Sequence, residues 1–226
     1  LPTRAVIFDI DGTLIDSVDG HARAWQEIFA RYGYDIPFDK IRHQIGKGGD
    51  QLMPVFLPKD LIEREGDRIE RERLELFKSQ FLPHVRAFPA VRDLFLRVKG
   101  EGLAVVLASS AKGEELRNYT RIAGIDDLVD AATSSDDAEK SKPHPDIFEA
   151  ALAKLHGTDH TEVVAVGDTP YDAEAAGKAG VRTVGVLCGG FPEAELREAG
   201  CVAIYRDPAD LLAHFDDSPL APGSPG

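Results

Sequence analysis

The segment Asp9-Ile10-Asp11-Gly12-Thr13 sets two carboxylates two residues apart, directly after the apolar run Ala5-Val6-Ile7-Phe8. In extended chain, side chains two residues apart leave from the same side. A turn at Gly12 can then aim both into one site. Such a pair suits two tasks with opposite protonation states. An ionised carboxylate attacks an electrophile such as phosphorus, and a protonated one releases an alcohol. Further on, Ser109-Ser110 follows a second apolar run, and Ser141-Lys142-Pro143 precedes a helix-like stretch. Gly167-Asp168-Thr169-Pro170-Tyr171-Asp172 follows another apolar run. If these runs are parallel strands, Asp9, Asp11, Asp168, Asp172, Lys142 and the Ser109 hydroxyl converge at one rim of a sheet. Carboxylates that close repel unless a cation or proton intervenes, and Mg²⁺, with its preference for oxygen, fits. Lys142 and Ser109 would hold phosphoryl oxygens as charge redistributes.

The elements that must position these residues are legible as a pattern. Residues 4–8 read as a short buried strand. Val18, Ala22, Trp25, Phe29 and Tyr32 follow at helical spacing. Pro37 and the Gly46–Gly49 loop interrupt the chain, and residues 60–81 read as one long helix. Its charge run, Glu63 to Arg68 and on through Glu70 to Arg73, reads as a solvated face. From Phe88 onward helices alternate with strands near Leu103–Ala108, Leu128–Ala132, Val163–Val166, Arg182–Val186 and Val202–Ile204. This alternation predicts an α/β fold: a doubly wound, Rossmann-like parallel sheet, with its site beyond the carboxyl ends of the strands. Segments 1–16 and 85–215 form the expected core, 17–84 an inserted α-helical cap, and 216–226 a disordered tail rich in Pro, Gly and Ser.

Bulk properties narrow the partners. The chain has 226 residues, 43% of them apolar, and a formal net charge of −13. That charge argues against nucleic acid or an anionic membrane and leaves small molecules. No apolar run approaches membrane-span length, and no leader-like segment precedes the first strand, so a cytoplasmic protein is expected. Cys188 and Cys201 show neither disulfide-framework nor metal-ligand spacing. Nothing asks for more than a monomer.

Taken in order, D-x-D-G-T after a strand, Ser after a second, Lys-Pro before a helix and G-D-x-x-x-D after a later strand resemble the haloacid dehalogenase superfamily. The resemblance is to its phosphatase and phosphomutase branch with a small helical cap, and covers residues 4–212. It implies Asp9 as nucleophile and Mg²⁺ ligand. Asp11 is implied as general acid and base, binding the metal through its backbone carbonyl. Ser109 and Lys142 hold the phosphate, Ser110 offers its backbone N–H, and Asp168 binds Mg²⁺. Asp172 is a ligand through water or a supporting partner, although a carboxylate there also suits a helix N-terminus. In similar proteins the cap loop reaches over the substrate, where Lys47 meets a polar or anionic group, and a cap histidine at the place of His21 approaches Asp11. A glycine-rich turn and a surface histidine are the bland accounts of both.

The function expected is a Mg²⁺-dependent phosphatase acting on a small phosphorylated metabolite, a sugar phosphate or phosphoglycolate, through an aspartyl-phosphate. A phosphosugar mutase resembling β-phosphoglucomutase is the first alternative. The arginine such mutases carry in the cap loop is absent, with Gly48 and Gly49 in its place. A dehalogenase or a phosphonoacetaldehyde hydrolase fits less well, because both tend to lack an acid at the position of Asp11. A non-catalytic binding module on the same fold is the remaining class.

Overall fold

The computed structural model describes residues 2–223. In chain order its strands are β1 (Ala5–Phe8), β2 (Ile15–Asp16), β3 (Arg86–Ala87), β4 (Ala104–Ala108), β5 (Ala131–Thr133), β6 (Val163–Gly167), β7 (Arg182–Val186) and β8 (Cys201–Tyr205). The helices are α1 (Val18–Arg31), α2 (Phe38–Arg42), α3 (Gly49–Phe56), α4 (Lys59–Leu76), α5 (Val91–Gly100), α6 (Gly113–Ala123), α7 (Asp146–Ala153), α8 (Pro170–Lys178), α9 (Glu193–Glu198) and α10 (Pro208–Ala213).

Six strands form one parallel sheet in the order β5-β4-β1-β6-β7-β8. Every residue of β1 and β6 is buried, because helices cover both faces and leave no side of the strand to water. Alternate residues of β1 divide between the faces. Val6 and Phe8 join a cluster with Leu94, Phe95 and Val98 of α5. Ala5 and Ile7 join another with Ile147 and Phe148 of α7 and Ala175 of α8. This is the doubly wound sheet expected. Strand order reverses between β1 and β6, so their carboxyl ends open the crevice where ligands bind in such sheets.

The helices α1 to α4 come from the chain between β2 and β3. Those two strands pair antiparallel, Ile15 with Ala87 and Asp16 with Arg86, so the chain leaves and returns side by side. The buried stripe of α1 (Val18, Ala22, Trp25, Ile28, Phe29) continues the cluster under α5 across to α4 through Ile69 and Leu76.

Three local expectations need correction. The helix expected over 60–81 stops at Leu76 and passes into a π-helical turn, Phe77–Phe81. Phe77 and Phe81 lie over the bare Gly20, where a Cβ would fall 3.2 Å from the Phe77 ring and from the Phe81 Cβ. The strand expected at 128–132 begins only at Ala131, because the Asp130 carboxylate accepts from Val105 N–H at 2.8 Å and from Lys99, ending a turn. The tail is ordered through residue 223. Leu220 is fully buried, and Thr3 Oγ1 donates to the Pro219 carbonyl at 2.8 Å. Residues 224–226 of that expectation lie outside the described residues. No helix among the described residues is long and apolar enough to cross a membrane.

Candidate active site

Asp9 sits one residue past β1. Its N–H donates to the Val166 carbonyl at 2.9 Å, which extends the pairing with β6 and holds the carboxylate at the sheet rim. Lys142, wholly buried and joined to Pro143 by a cis peptide, donates from Nζ to Asp9 Oδ1 at 2.5 Å and to the Ala108 carbonyl at 3.1 Å. The same Nζ makes an ion pair with Asp172 Oδ1 at 2.7 Å. Asp172 Oδ2 meanwhile accepts from Thr169 N–H and Oγ1 at 3.1 and 2.7 Å, closing a capping box at the start of α8. Of the two readings of Asp172, the helix N-terminal one is seen directly. It caps the helix with one oxygen and faces the lysine with the other. Burial lowers the Lys142 pKa, but Asp172 and Asp9 outweigh it and hold the lysine above its ordinary value.

Asp9, Asp168 and Asp172 each present an oxygen within 4.8 Å of the others. One lysine cannot balance three carboxylates. Burial first, then Asp172, pushes Asp9 up to about 7 against the pull of Lys142. Burial, Asp9 and Asp172 raise Asp168 well above the usual carboxylate range. Thr13 Oγ1 lies 2.9 Å from Asp168 Oδ1 and 3.0 Å from Asp9 Oδ2. Asp168 Oδ2 is buried with no hydrogen-bond partner. Room for it depends on two glycines, since a Cβ on Gly12 would fall 2.3 Å and one on Gly189 1.7 Å from that oxygen. A cradle of hard, negatively charged oxygens with one orphaned atom fits Mg²⁺.

The Asp11 carboxylate stands outside this triad of oxygens but lines the same cleft as Asp9. Asp11 Oδ1 accepts from Ser17 Oγ at 2.5 Å and lies 3.0 Å from His21 Nε2, both belonging to the entry of α1. Arg73 Nη1 donates to His21 Nδ1 at 3.3 Å. A guanidinium can only donate, so Nδ1 is the bare nitrogen and Nε2 carries the proton toward Asp11. His21 Nε2 also lies 2.8 Å from Tyr119 Oη, which donates to Glu115 Oε1 at 3.1 Å. Phe77 stacks on the imidazole at 3.8 Å between centroids. Burial raises the Asp11 carboxyl, yet His21, Ser17 and Tyr119 together hold it below the usual range.

The remaining expected residues separate. Ser109 is fully buried and its Oγ accepts from Ala111 N–H at 3.0 Å, whereas Ser110 lines the cleft. Lys47 also lines the cleft, but its Nζ is turned to Gln44 Oε1 at 2.6 Å and lies 4.5 Å from the Tyr171 ring. Burial lowers its pKa. The void left among these side chains is about 50 Å³, far under the roughly 300–1,000 Å³ of small-molecule sites. Residues from α1, α4 and the loop between α2 and α3 thus pack close against the rim that carries Asp9.

The family model of the haloacid dehalogenase-like hydrolases matches residues 6–186. The chain belongs to this family. Across 98% of its length it is 30% identical to a phosphoglycolate phosphatase from Yersinia pestis, covering 94% of that protein. It is 29% identical over 92% of its length to a phosphorylated carbohydrates phosphatase from Thermotoga maritima, covering 96% of that relative. It spans only 19% of a larger Arabidopsis thaliana protein, Suppressor of Quenching 1, chloroplastic, which it matches at 31% identity over 90% of its own length. Among solved structures, a hydrolase from Pseudomonas syringae superposes with a TM-score of 0.85 at 28% identity, covering 95% of this chain and 98% of that one.

In this haloacid dehalogenase-like hydrolase the cleft also holds Trp25, expected only as a position on the apolar stripe of its helix, and three residues not expected at the site, Glu70, Arg73 and Glu115, with Tyr119 behind. Glu70 and Arg73 correct the reading of their charge run as a solvated face. A signal for Arg73 did exist. Ile69, Arg73 and Phe77 fall at intervals of four, which puts the arginine on the buried stripe of its helix. Glu115 and Tyr119 share a similar spacing on α6, but nothing local says what they face.

Proposed function

We propose that this protein is a phosphatase that hydrolyses a small phosphate monoester with Mg²⁺, through an aspartyl-phosphate formed on Asp9. The observation that carries the proposal is the placement of Asp9. Its carboxylate lies between Lys142 and the buried Asp168, in the cleft that Asp11 also lines. Asp9, Asp168 and the Asp11 carbonyl, supported by Asp172, would hold Mg²⁺, which when bound neutralises the carboxylates and the phosphoryl oxygens.

The residues then divide the work. Asp9 attacks phosphorus as the bond to the ester oxygen breaks, and Asp11, which must first take up a proton because its neighbours hold it ionised in the free protein, passes that proton to the ester oxygen, so a neutral alcohol leaves. Lys142 keeps Asp9 in place, while Ser110 and Ala111, at the cleft wall, support the phosphoryl group. A water then attacks the aspartyl-phosphate, Asp11 takes its proton, and inorganic phosphate departs with Asp9 restored. The closed cap keeps other water out. A mutase needs a clamp for a second phosphate. Here Glu70's carboxylate lies against Gly49, 3.1 Å from where a Cβ would stand. The names of the Thermotoga and Yersinia relatives support hydrolysis. Phosphate release from a panel of monoesters, with and without Mg²⁺ and beside Asp9→Asn, tests the proposal. Release that survives in the variant overturns it.

A further inference from the structure

We infer that the alcohol released is a neutral polyol or sugar, held by Glu70, Glu115, Arg73 and Lys47. This rests on the phosphatase reading above. Among the described residues Lys47, Glu70 and Arg73 form no ion pair, and the nearest basic group to Glu115 is the His21 imidazole, whose Nε2 lies at 3.8 Å. Charged groups that line a closed cleft in a molecule of net charge −13 would ordinarily find partners. Here they are held by neutral ones. Arg73 lies over the Trp25 ring at 5.1 Å and gives one N–H to His21, while its buried Nε has no acceptor. Lys47 gives one of its three protons to Gln44. Glu115 accepts only from Tyr119, and Glu70 accepts nothing from the protein.

The wall beyond Asp11 therefore carries spare donors and spare acceptors together, beside the apolar Trp25 and Ile45. Three kinds of leaving group can be weighed against it. A carboxylate or a second phosphate would satisfy Arg73 and Lys47 but press against Glu70 and Glu115. An apolar alcohol would leave all four groups dry and unpaired when the cap closes. Hydroxyls both donate and accept, so a polyol can give protons to the two glutamates and take them from the two cations. The glutamates are the discriminating pair, because only they reject an anion.

The test uses the full chain with Mg²⁺ and six esters: glucose, fructose and mannose monophosphates, phosphoglycolate, a hexose bisphosphate and p-nitrophenyl phosphate. At least one hexose monophosphate should exceed phosphoglycolate and the bisphosphate by about tenfold or more in kcat/KM. In Glu70→Gln and Glu115→Gln, the hexose-to-nitrophenyl ratio of kcat/KM should fall by about tenfold, mainly through KM. Glu115 is buried, so if its variant fails to fold, Glu70→Gln at a half-buried position decides alone. If phosphoglycolate or the bisphosphate is best, or if Glu70→Gln lowers every ester equally, the polyol inference is overturned and the phosphatase reading stands. If the folded protein releases phosphate from none of the six, the phosphatase reading falls and takes this inference with it.

Discussion

A carboxyl whose folded pKa lies above its unfolded value stabilises the fold fully below the unfolded value, and that contribution is lost as pH rises through the folded one. For Asp9 this window runs from 3.8 to about 7, and Asp168 is shifted in the same direction. The Tm of metal-free protein should therefore fall between about pH 4 and about pH 8, where like charges in the cradle are unmasked. Mg²⁺ should restore more at the upper end, since it binds the deprotonated cradle. Thermal melts in chelator and in Mg²⁺ measure both, and a chelated profile flat across that range would sink the account. Asp168→Asn removes one of the repelling charges. It should raise the metal-free Tm at pH 8 and lose most of the rise that Mg²⁺ gives. Replacing Asp11 by Asn should cost turnover heavily for a poor leaving group such as a hexose, about 10²-fold or more, and less for p-nitrophenyl phosphate, whose alcohol needs no proton. Equal losses on both esters would remove Asp11 from that role. Asp9, Asp11, Lys142 and Asp168 could be found without coordinates because each stands beside a strand-like run or a recognisable turn, and parallel strands point one way. Arg73 and Glu115 could not, because helical periodicity says only that they face inward. What they face is decided by how α4 and α6 are turned against the core.

At the scale of elements, the loop between α2 and α3 does the closing, and it does so with bare backbone. Gly46, at φ +110°, lies so near the core that a Cβ would sit 2.7 Å from Thr169 Cγ2, and its carbonyl meets Ser110 Oγ at 3.4 Å. On Gly48 a Cβ would fall 2.0 Å from Ser141 Oγ. A void of about 50 Å³ is small for an ester, so we predict that α1–α4 swing outward about the β2–β3 pair to admit one. The π-helical turn at Phe77–Phe81 lies between α4 and β3, and its Phe77 ring is stacked on His21, so it ties the end of α4 to the Asp11 network. Gly46→Val combines a disfavoured φ with a clash and should keep the loop off its seat. We expect kcat/KM to fall by about tenfold or more, since closure completes the site. The chain has one tryptophan, Trp25, and it lines this cleft. Its fluorescence should change when a non-hydrolysable phosphate analogue is added to the parent and stay unchanged in Gly46→Val. An identical response in both would show that closure does not depend on that seat. The strand pattern was plain from the sequence because β1, β4 and β6 are wrapped on both faces and read as unbroken apolar runs. The π-turn was not, since its residues keep helical spacing and only the approach of Gly20 reveals the altered winding.

Over the whole molecule, one hydrophobic cluster runs from the sheet face through α5 into α1 and α4, and it also takes in Phe215, Leu220 and Ala221 near the carboxyl end. The order of residues 216–223 has a physical reason that their composition hides. Pro, Gly and Ser lower the local apolar content, but a single leucine reaching a prepared gap in a core can order the residues around it. Leu220 is such a residue. Its neighbour Pro219 receives the Thr3 hydroxyl just before β1, at the end of the sheet opposite the rim that carries Asp9. Arg97 of α5 lies over the Phe215 ring at 4.8 Å and bonds Asp216 Oδ1 at 2.5 Å, a further tie between the tail and the core. Truncating a fully buried leucine to alanine costs roughly 2–5 kcal/mol, the spread reflecting how far the cavity collapses. For a domain of this size each kcal/mol is worth about 2–4 °C. Leu220→Ala should therefore lower Tm by roughly 4–20 °C, with kcat/KM unchanged below the transition because the site lies at the far end of β1. Melts and initial rates on the same preparation separate the two effects. A Tm equal to the parent's would mean the leucine is not seated in solution, whereas a loss of activity in step with stability would mean that the two ends of the sheet are coupled.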